Sequence, residues 1–537
     1  MAGRESNGSS LARGAAAITV ATAVSRITGF IRVLVVAAVM GTTFLANTYQ
    51  TANTAPNVIF ELLAAGVLTS VFVPTFVEYI ARGERERGWE AGNALTSVAV
   101  VALVGIALLV GLAAPLIMRA LTLGVADPAL RSDEIALGTR FLRLFAPQIV
   151  FYGAGMIMTG ALHAYRRFGL PAAAPIFNNV VVIVVYLVYA AIRGDASPTV
   201  TGITTAEVWV LGAGTTLGVI AMTVCLIPAL RTLGWSFKWS FDFGHPAVRR
   251  GVRLGVWALG YAGGYQAGLI VVLLLANRIE GGVAAYQWAY TFFYMPHALF
   301  AVPIFSVLFT AMAEHAVAED RRQIVERLRQ GLSLLSFVLV PIAAALVALS
   351  HPLSVLTLEY GVMTSDGAAL VGRVIAAFAL GLPTFSAFLI FTRAFYALGR
   401  TKEPTLVNAF AVGVASVVGV ILFFAADPGW EVAALALAHS IGFAVGAVVL
   451  GRALVRHLGR IGGTRVVAAV TRSAVAGAAA FVVMLAGVWR LPEDTNIEAF
   501  VTVVVVAATG AAVYVVIMAF QRSPELARLG RLLVRRR

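Results

Sequence analysis

"AAAITVATAVSRITGFIRVLVVAAVM", residues 15–40, decides how this chain folds. As one helix rising 1.5 Å per residue it is long enough to cross ~30 Å of hydrocarbon. Its only charged side chains are Arg26 and Arg32. Apolar runs of similar length recur to the end of the 537 residues, of which 60% are hydrophobic and 12% charged. A soluble chain of this size needs far more charge to cover its surface. Barrel strands alternate every second residue, whereas these runs are continuously apolar and rich in Ala, Gly, Val and Leu. The composition predicts an all-α, polytopic membrane protein.

The formal net charge of +14 does not point to nucleic acid. The basic residues sit in short gaps between apolar runs, where orientation signals belong. Cys225 is the single cysteine and lies in an apolar run, so no intrachain disulfide and no Cys-based metal site is expected. The start, "MAGRESNGSSLARG", is polar and basic and leads into a full-length span, so no removable signal peptide is expected.

Fourteen spans are predicted: 16–40, 45–80, 92–118, 141–163, 171–192, 206–230, 251–277, 283–313, 330–350, 367–399, 404–426, 431–451, 466–489 and 498–520. The second and eighth contain Pro56 and Pro74, and Pro296 and Pro303, which predict bends or breaks. Alternate gaps are basic: Arg82, Arg85 and Arg87; Arg166 and Arg167; Arg231, Lys238, Arg249, Arg250 and Arg253; Arg321, Arg322, Arg327 and Arg329; Arg400 and Lys402; Arg452, Arg456, Arg460 and Arg465. The intervening gaps, such as "GTTFLAN", "GDASPTVTGITTAE" and "LPEDTNIE", are nearly free of Lys and Arg; 119–140 is mixed. The positive-inside rule then puts both termini in the cytoplasm.

The chain also resembles itself. "TGALHAYRRFGLP" (159–171) aligns with "TRAFYALGRTKEP" (392–404), and "PNVIFELLAAGVLTS" (56–70) with "PHALFAVPIFSVLFT" (296–310), at offsets of 233 and 240. A six-helix repeat gives two parallel lobes, an architecture of transporters with the substrate path between lobes. The expected division is an N-lobe over 1–240, a C-lobe over 241–460, and a last pair of spans with a basic tail over 461–537.

Arg26 lies ~15 Å into the first span and Arg32 ~9 Å further, about 120° around the helix. Charges this deep face a bundle interior or a wet cavity and take a partner. Glu61, midway along the second span, is the candidate partner, and Gly29 a candidate bend. The pair then reads either as an ion pair locking the first two spans or as part of an arginine-lined cavity for an anion, whose oxygens a guanidinium binds in a planar fork. Arg373 and Arg393 add to that cavity, or Arg393 snorkels. Asn47, Gln50, Asn53 and Asn57 form one polar helical face; Gln287, Tyr290, Thr291, Tyr294 and His297 form another. The first reads equally as a helix-packing seam or as cavity wall; the tyrosines of the second read by default as packing residues, or as a groove that stacks on sugars. His163, His297 and His439 read as hydrogen-bonded helix residues. No Walker loop, GxSxG, HExxH or Cys/His metal spacing is present, so no catalytic residue, metal site or cofactor is expected.

"SRITGFIR" (25–32) followed by "MGTTFLANTYQTANTAPNVIFELLAAGVLTSVFVPTFVEY" resembles the opening of the MurJ (MviN) lipid II flippases. These belong to the multidrug/oligosaccharidyl-lipid/polysaccharide exporter superfamily. "GALHAYRRFGLPAAAPIFNN", "EYGVMTSDGA" and "RAFYALGRTKEP" also look like that family's motifs. The resemblance implies fourteen spans and a non-enzymatic flippase that moves undecaprenyl-pyrophosphate-linked peptidoglycan precursor outward by alternating access. Cell-wall synthesis proteins are implied partners. It also implies a central cavity lined by Ser25, Arg26 and Arg32. The chain departs from the family pattern at Asn47, at Phe60 and Glu61, at Ala65, and at Tyr290 and Thr291, where the family carries charges. The alternatives are a flippase for another polyprenyl-linked oligosaccharide, a drug antiporter, and a membrane scaffold for wall assembly.

Overall fold

The computed structural model describes residues 2–63, 79, 84–235, 237–240, 263, 266–459, 461, 464–492 and 495–527. Ala65, Pro74, Arg82, Arg249, Arg250, Arg253, Arg460 and the C-terminal "RLLVRRR" lie outside these residues. The described residues are helical between short turns and contain no strand. Eleven of their helices are long and apolar enough to cross a membrane, or twelve when Ser365–Ala379 and Leu382–Ala397, bent by 47°, count as one span. They correspond to all the expected spans except the second and seventh, which run partly through residues outside the description.

Packing divides the chain into two compact units, Met1–Gly281 and Gly282–Arg537. The first contains α1 (Ala2–Met40), α2 (Phe44–Leu63), α3 (Arg85–Leu121), α4 (Pro128–Phe145), α5 (Gln148–Ala164), α6 (Gly169–Arg193), α7 (Thr205–Val224), α8 (Ile227–Thr232) and α9 (Gln266–Ala276). Within it α1 packs on α6, α6 on α7, and α2 on α4. The second contains α10 (Gly282–Pro296), a π turn at His297–Ala301, α11 (Val302–Val317), α12 (Arg321–Ala348), α13 (Ser350–Leu358), α14 (Ser365–Ala379) and α15 (Leu382–Ala397). It continues with α16 (Lys402–Ala425), α17 (Glu431–Leu458), α18 (Thr464–Val488) and α19 (Asn496–Phe520). Here α16 packs on α17, and the terminal pair α18–α19 lies on α12. Tyr514 of α19 donates its hydroxyl to the Phe337 carbonyl of α12 at 2.8 Å.

Local chemistry explains where these helices begin and bend. At α7 the Thr204 hydroxyl accepts from the Glu207 N–H, while the Glu207 carboxylate accepts from the Thr204 N–H at 2.6 Å. This reciprocal cap satisfies amide donors that the first turn leaves free. Glu207 also pairs with Arg193 at 3.1 Å, with both side chains about 5% exposed, tying the end of α6 to the start of α7. The same cap recurs at α19 through Thr495 and Glu498. Gly442 and Gly446 on α17 let α16 approach closely: a Cβ at Gly442 would stand 2.6 Å from the Ala411 carbonyl oxygen, and one at Gly446 2.8 Å from the Ala411 methyl.

The prolines act unequally. α2 continues through Pro56, whereas Pro296 precedes the π turn and Pro303 sits in the first turn of α11. α1 runs unbroken through Gly29. The stretch 119–140, expected as a mixed-charge gap, is mostly α4: Asp127 caps Ala129 N–H at 2.9 Å and Pro128 opens the helix. Asp133 and Arg140 face outward on that helix while Glu134 is fully buried, so helical periodicity, not a loop, sorts these charges.

Candidate functional site

The residues singled out in the sequence fall into a polar group in the first unit and an aromatic group in the second. In the first, α6 reads one face of α1. Asn179 Nδ2 donates to the Ser25 carbonyl at 3.2 Å and to the Thr28 hydroxyl at 3.1 Å, and it lies 3.4 Å from where a Gly29 Cβ would stand. Arg32 shares that face and is half-buried. Its guanidinium is within electrostatic range of Tyr49, Tyr152 and Tyr186. Tyr49 is fully buried; its hydroxyl is 2.6 Å from the Thr215 hydroxyl and 3.1 Å from that of Tyr186. The rings of Phe141 and Phe145 meet it edge-on at 5.5 Å.

Arg26 stands a third of a turn from Arg32 and is exposed. Val20, Val24, Ile27 and Ile31 form a separate exposed apolar stripe on α1, turned away from both arginines. The two arginines therefore occupy different surroundings, one half-buried within electrostatic range of three tyrosines and one at the surface of its unit.

Along α2 the polar face is divided by depth. Asn47 is fully buried and donates to the Ile279 carbonyl at 2.8 Å. Thr51 donates to Asn277 Oδ1 at 3.3 Å, and Asn277 Nδ2 donates to the Leu121 carbonyl at 3.1 Å. Asn53 is half-buried; its Oδ1 has no hydrogen-bond partner and its backbone carbonyl accepts from Asn57. Glu61 is exposed and accepts from Gln266 Nε2 of α9 at 2.6 Å. The described end of the seventh span is thus joined to α2 inside the first unit. Sequence reading passed over Gln266, Asn277, Asn179 and Thr215, since a lone amide or hydroxyl inside an apolar run carries no periodic signal.

In the second unit Tyr290 and Tyr294 stack one turn apart on α10, with ring centres 5.9 Å apart, and both are half-buried. Gln287, one residue off that line, is also half-buried. Tyr290 meets Phe378 of α14 edge-on at 5.5 Å and His439 of α17 at 6.0 Å. His439 is boxed by Phe443, Phe378 and Phe293 at 4.7, 5.3 and 5.7 Å. Both of its ring nitrogens are buried without a hydrogen-bond partner. His297 is buried too, with Nδ1 2.9 Å from the Ser386 hydroxyl. Arg373 and Arg393 lie apart from this cluster. Arg373 sits over the Trp430 ring at 5.8 Å, and Arg393 is exposed on α15. No group of three or more potential metal ligands occurs among the described residues.

The family model described as lipid II flippase MurJ matches residues 36–519. The chain belongs to that family. The match begins beyond Arg32, so membership rests on the body of the chain independently of "SRITGFIR". A probable lipid II flippase MurJ of Rhizobium tropici is 28% identical over 439 residues, 81% of this chain and 79% of the relative. A lipid II flippase MurJ of Burkholderia cenocepacia is 25% identical over 409 residues, 73% of this chain and 74% of the relative. Among solved structures, lipid II flippase MurJ in an inward closed conformation superposes with a TM-score of 0.75 at 18% identity, covering 94% of this chain and 98% of the other. An inward-facing multidrug resistance MATE family transporter of the MOP superfamily gives 0.65 at 12% identity, covering 81% and 95%. The family's polytopic helical fold is therefore the fold of this chain.

Proposed function

We propose that this chain is a lipid II flippase, carrying an undecaprenyl-pyrophosphate-linked peptidoglycan precursor from the cytoplasmic to the outer leaflet of the bacterial plasma membrane by alternating access. The family match over 36–519 carries this reading. The placement of Ser25, Arg26 and Arg32 supports it. A guanidinium keeps its charge at any physiological pH and offers a diphosphate a planar fork of donors. Arg26, exposed on its unit, makes the first contact with the anionic head, and Arg32 among the tyrosines holds it deeper. Half-buried Asn53 and exposed Glu61 extend the polar wall along α2, and Asn47 braces that wall from behind. Gln287, Tyr290 and Tyr294 offer the sugars one amide and two stacked rings, a recognition surface of the kind aromatic side chains provide. Arg393 lies towards the cytoplasmic end of its span. No bond is made or broken, so the chain acts as a carrier and not as an enzyme. The lobe division at 240/241 and 460/461, the cytoplasmic placing of both termini and contact with cell-wall synthesis proteins through the basic gaps belong to the same proposal.

The test is depletion of a resident lipid II flippase in cells supplied with this chain. Wild type should restore growth and shape, while Arg26→Ala and Arg32→Ala, present in the membrane at equal amounts, should not. Full rescue by both variants would overturn the role given to the arginines. No rescue by wild type, with the chain shown to be in the membrane, would turn the reading to another polyprenyl-linked cargo or to a scaffold.

A further inference from the structure

The second unit contains a cavity of about 470 Å³ that the proposed transport path does not use. Its walls are the end of α12 at Val347, the face of α14 from Arg373 to Leu380, the end of α16 at Leu422 and the start of α17 from Trp430 to Leu437. Every lining side chain except Arg373 is apolar or aromatic. The mouth is open, since Leu380 is 59% and Trp430 53% exposed.

Arg373 gives this cavity direction. Its guanidinium carbon lies 5.8 Å from the centre of the Trp430 ring. Its Nη2 reaches the α16–α17 turn, 3.4 Å from where a Cβ on Gly429 would stand. The Gly429 N–H is already taken by the Glu431 carboxylate at 2.6 Å. Arg373 Nε is buried and has no hydrogen-bond partner. From the level of this cation, Leu380 and Leu437 each lie seven residues further along α14 and α17 than Arg373 and Trp430. That is two helical turns, about 10 Å of apolar trough.

We infer that this cavity binds an anionic membrane phospholipid, with its phosphodiester on Arg373 and one acyl chain in the trough. Arg373 is only half-buried, so a phosphate oxygen at the mouth beside Trp430 can meet its guanidinium and make a charge-assisted hydrogen bond. A peptide would bring N–H and C=O groups that this lining cannot satisfy, whereas a hydrocarbon chain asks for no partner. The volume is that of a site for a small molecule, too small for the face of a second protein. Trp430 beside the cation is the pairing expected at the level of lipid headgroups.

Bromine on an acyl chain quenches a nearby tryptophan, which makes Trp430 the reporter. The full chain is placed in nanodiscs containing rising fractions of phosphatidylglycerol with a dibrominated acyl chain, or of the matching phosphatidylcholine. The Trp430 signal is the difference between wild type and Trp430→Phe. Half-quenching should need about tenfold less phosphatidylglycerol than phosphatidylcholine, the worth of one charge-assisted contact. Arg373→Gln should abolish that preference and Arg373→Lys should keep most of it. Ala434→Phe, which fills the trough and leaves the arginine in place, should weaken quenching by both lipids and keeps the test open if Arg373→Gln does not fold. Equal quenching by the two lipids in wild type would mean ordinary boundary lipid and overturn the inference. So would an unchanged preference in Arg373→Gln, or displacement by undecaprenyl diphosphate but not by unbrominated phosphatidylglycerol, which would make the cavity part of the transport path.

Discussion

Two enclosed polar rings, Tyr49 in the first unit and His439 in the second, are treated in opposite ways. In the first, Tyr49 is enclosed completely, yet its hydroxyl meets Thr215 and Tyr186, and the charge of Arg32 is nearby. In the second, His439 is enclosed by Phe293, Phe378 and Phe443 with neither ring nitrogen partnered. Around Tyr49 the helices meet through directed hydrogen bonds, around His439 through edge-on and tilted ring contacts. The difference matters because a hydrogen bond specifies one geometry, while ring packing tolerates sliding between neighbours of similar volume.

Four substitutions break or sharpen this contrast. The largest effect belongs to Glu207→Ala. It leaves the buried Arg193 without its counter-charge and removes the carboxylate half of the α7 cap, so the first unit should lose about 3–5 kcal/mol in an unfolding titration in detergent. The packing counterpart in the second unit is Gly442→Leu, which drives a side chain into the Ala411 carbonyl and Ala415; a loss of about 1–3 kcal/mol is expected in the same assay. Next comes Tyr49→Phe, which leaves Thr215 and Tyr186 without their shared partner and should cost about 1–2 kcal/mol. Smallest is His439→Leu. It discards a polar ring that has no partner to lose, so stability should change by less than about 1 kcal/mol or rise. A silent Tyr49→Phe together with a costly His439→Leu would reverse the contrast.

Much of the fold was legible because hydropathy acts on each segment before any contact forms. A helix of ~20 apolar residues satisfies its own backbone in lipid wherever its neighbours lie. The kinked tenth span was less legible. The sequence reads as one stretch over 367–399, but the chain turns by 47° between Ala379 and Leu382, where Gly381 allows Ser440 of α17 close and Pro383 opens the next helix. The helix at 128–145 was hidden in the same way. Mixed charge marks a gap in a hydropathy profile, yet Asp127 and Pro128 start a helix there, and its charges sort by face.

The candidate site was legible in residue type and not in arrangement. "SRITGFIR" announced two deep cations, and the tyrosines of α10 announced an aromatic face. That Arg32 faces tyrosines of α2, α5 and α6 while Arg26 does not, and that Glu61 accepts from Gln266, depends on partners more than a hundred residues away in some cases. Arg373 reads in sequence as another cavity cation, but in the fold it stands over Trp430 at the head of an apolar trough.

By itself the sequence determined that the chain crosses the membrane many times, which gaps are basic and which family it resembles. All three depend on composition and order along one dimension, and the bilayer turns that order into helices. Only the tertiary structure decided which face each helix shows its neighbour. An apolar side chain gains equally against lipid or protein, whereas a buried hydroxyl, amide or guanidinium is settled by the one group that folding brings within 3 Å.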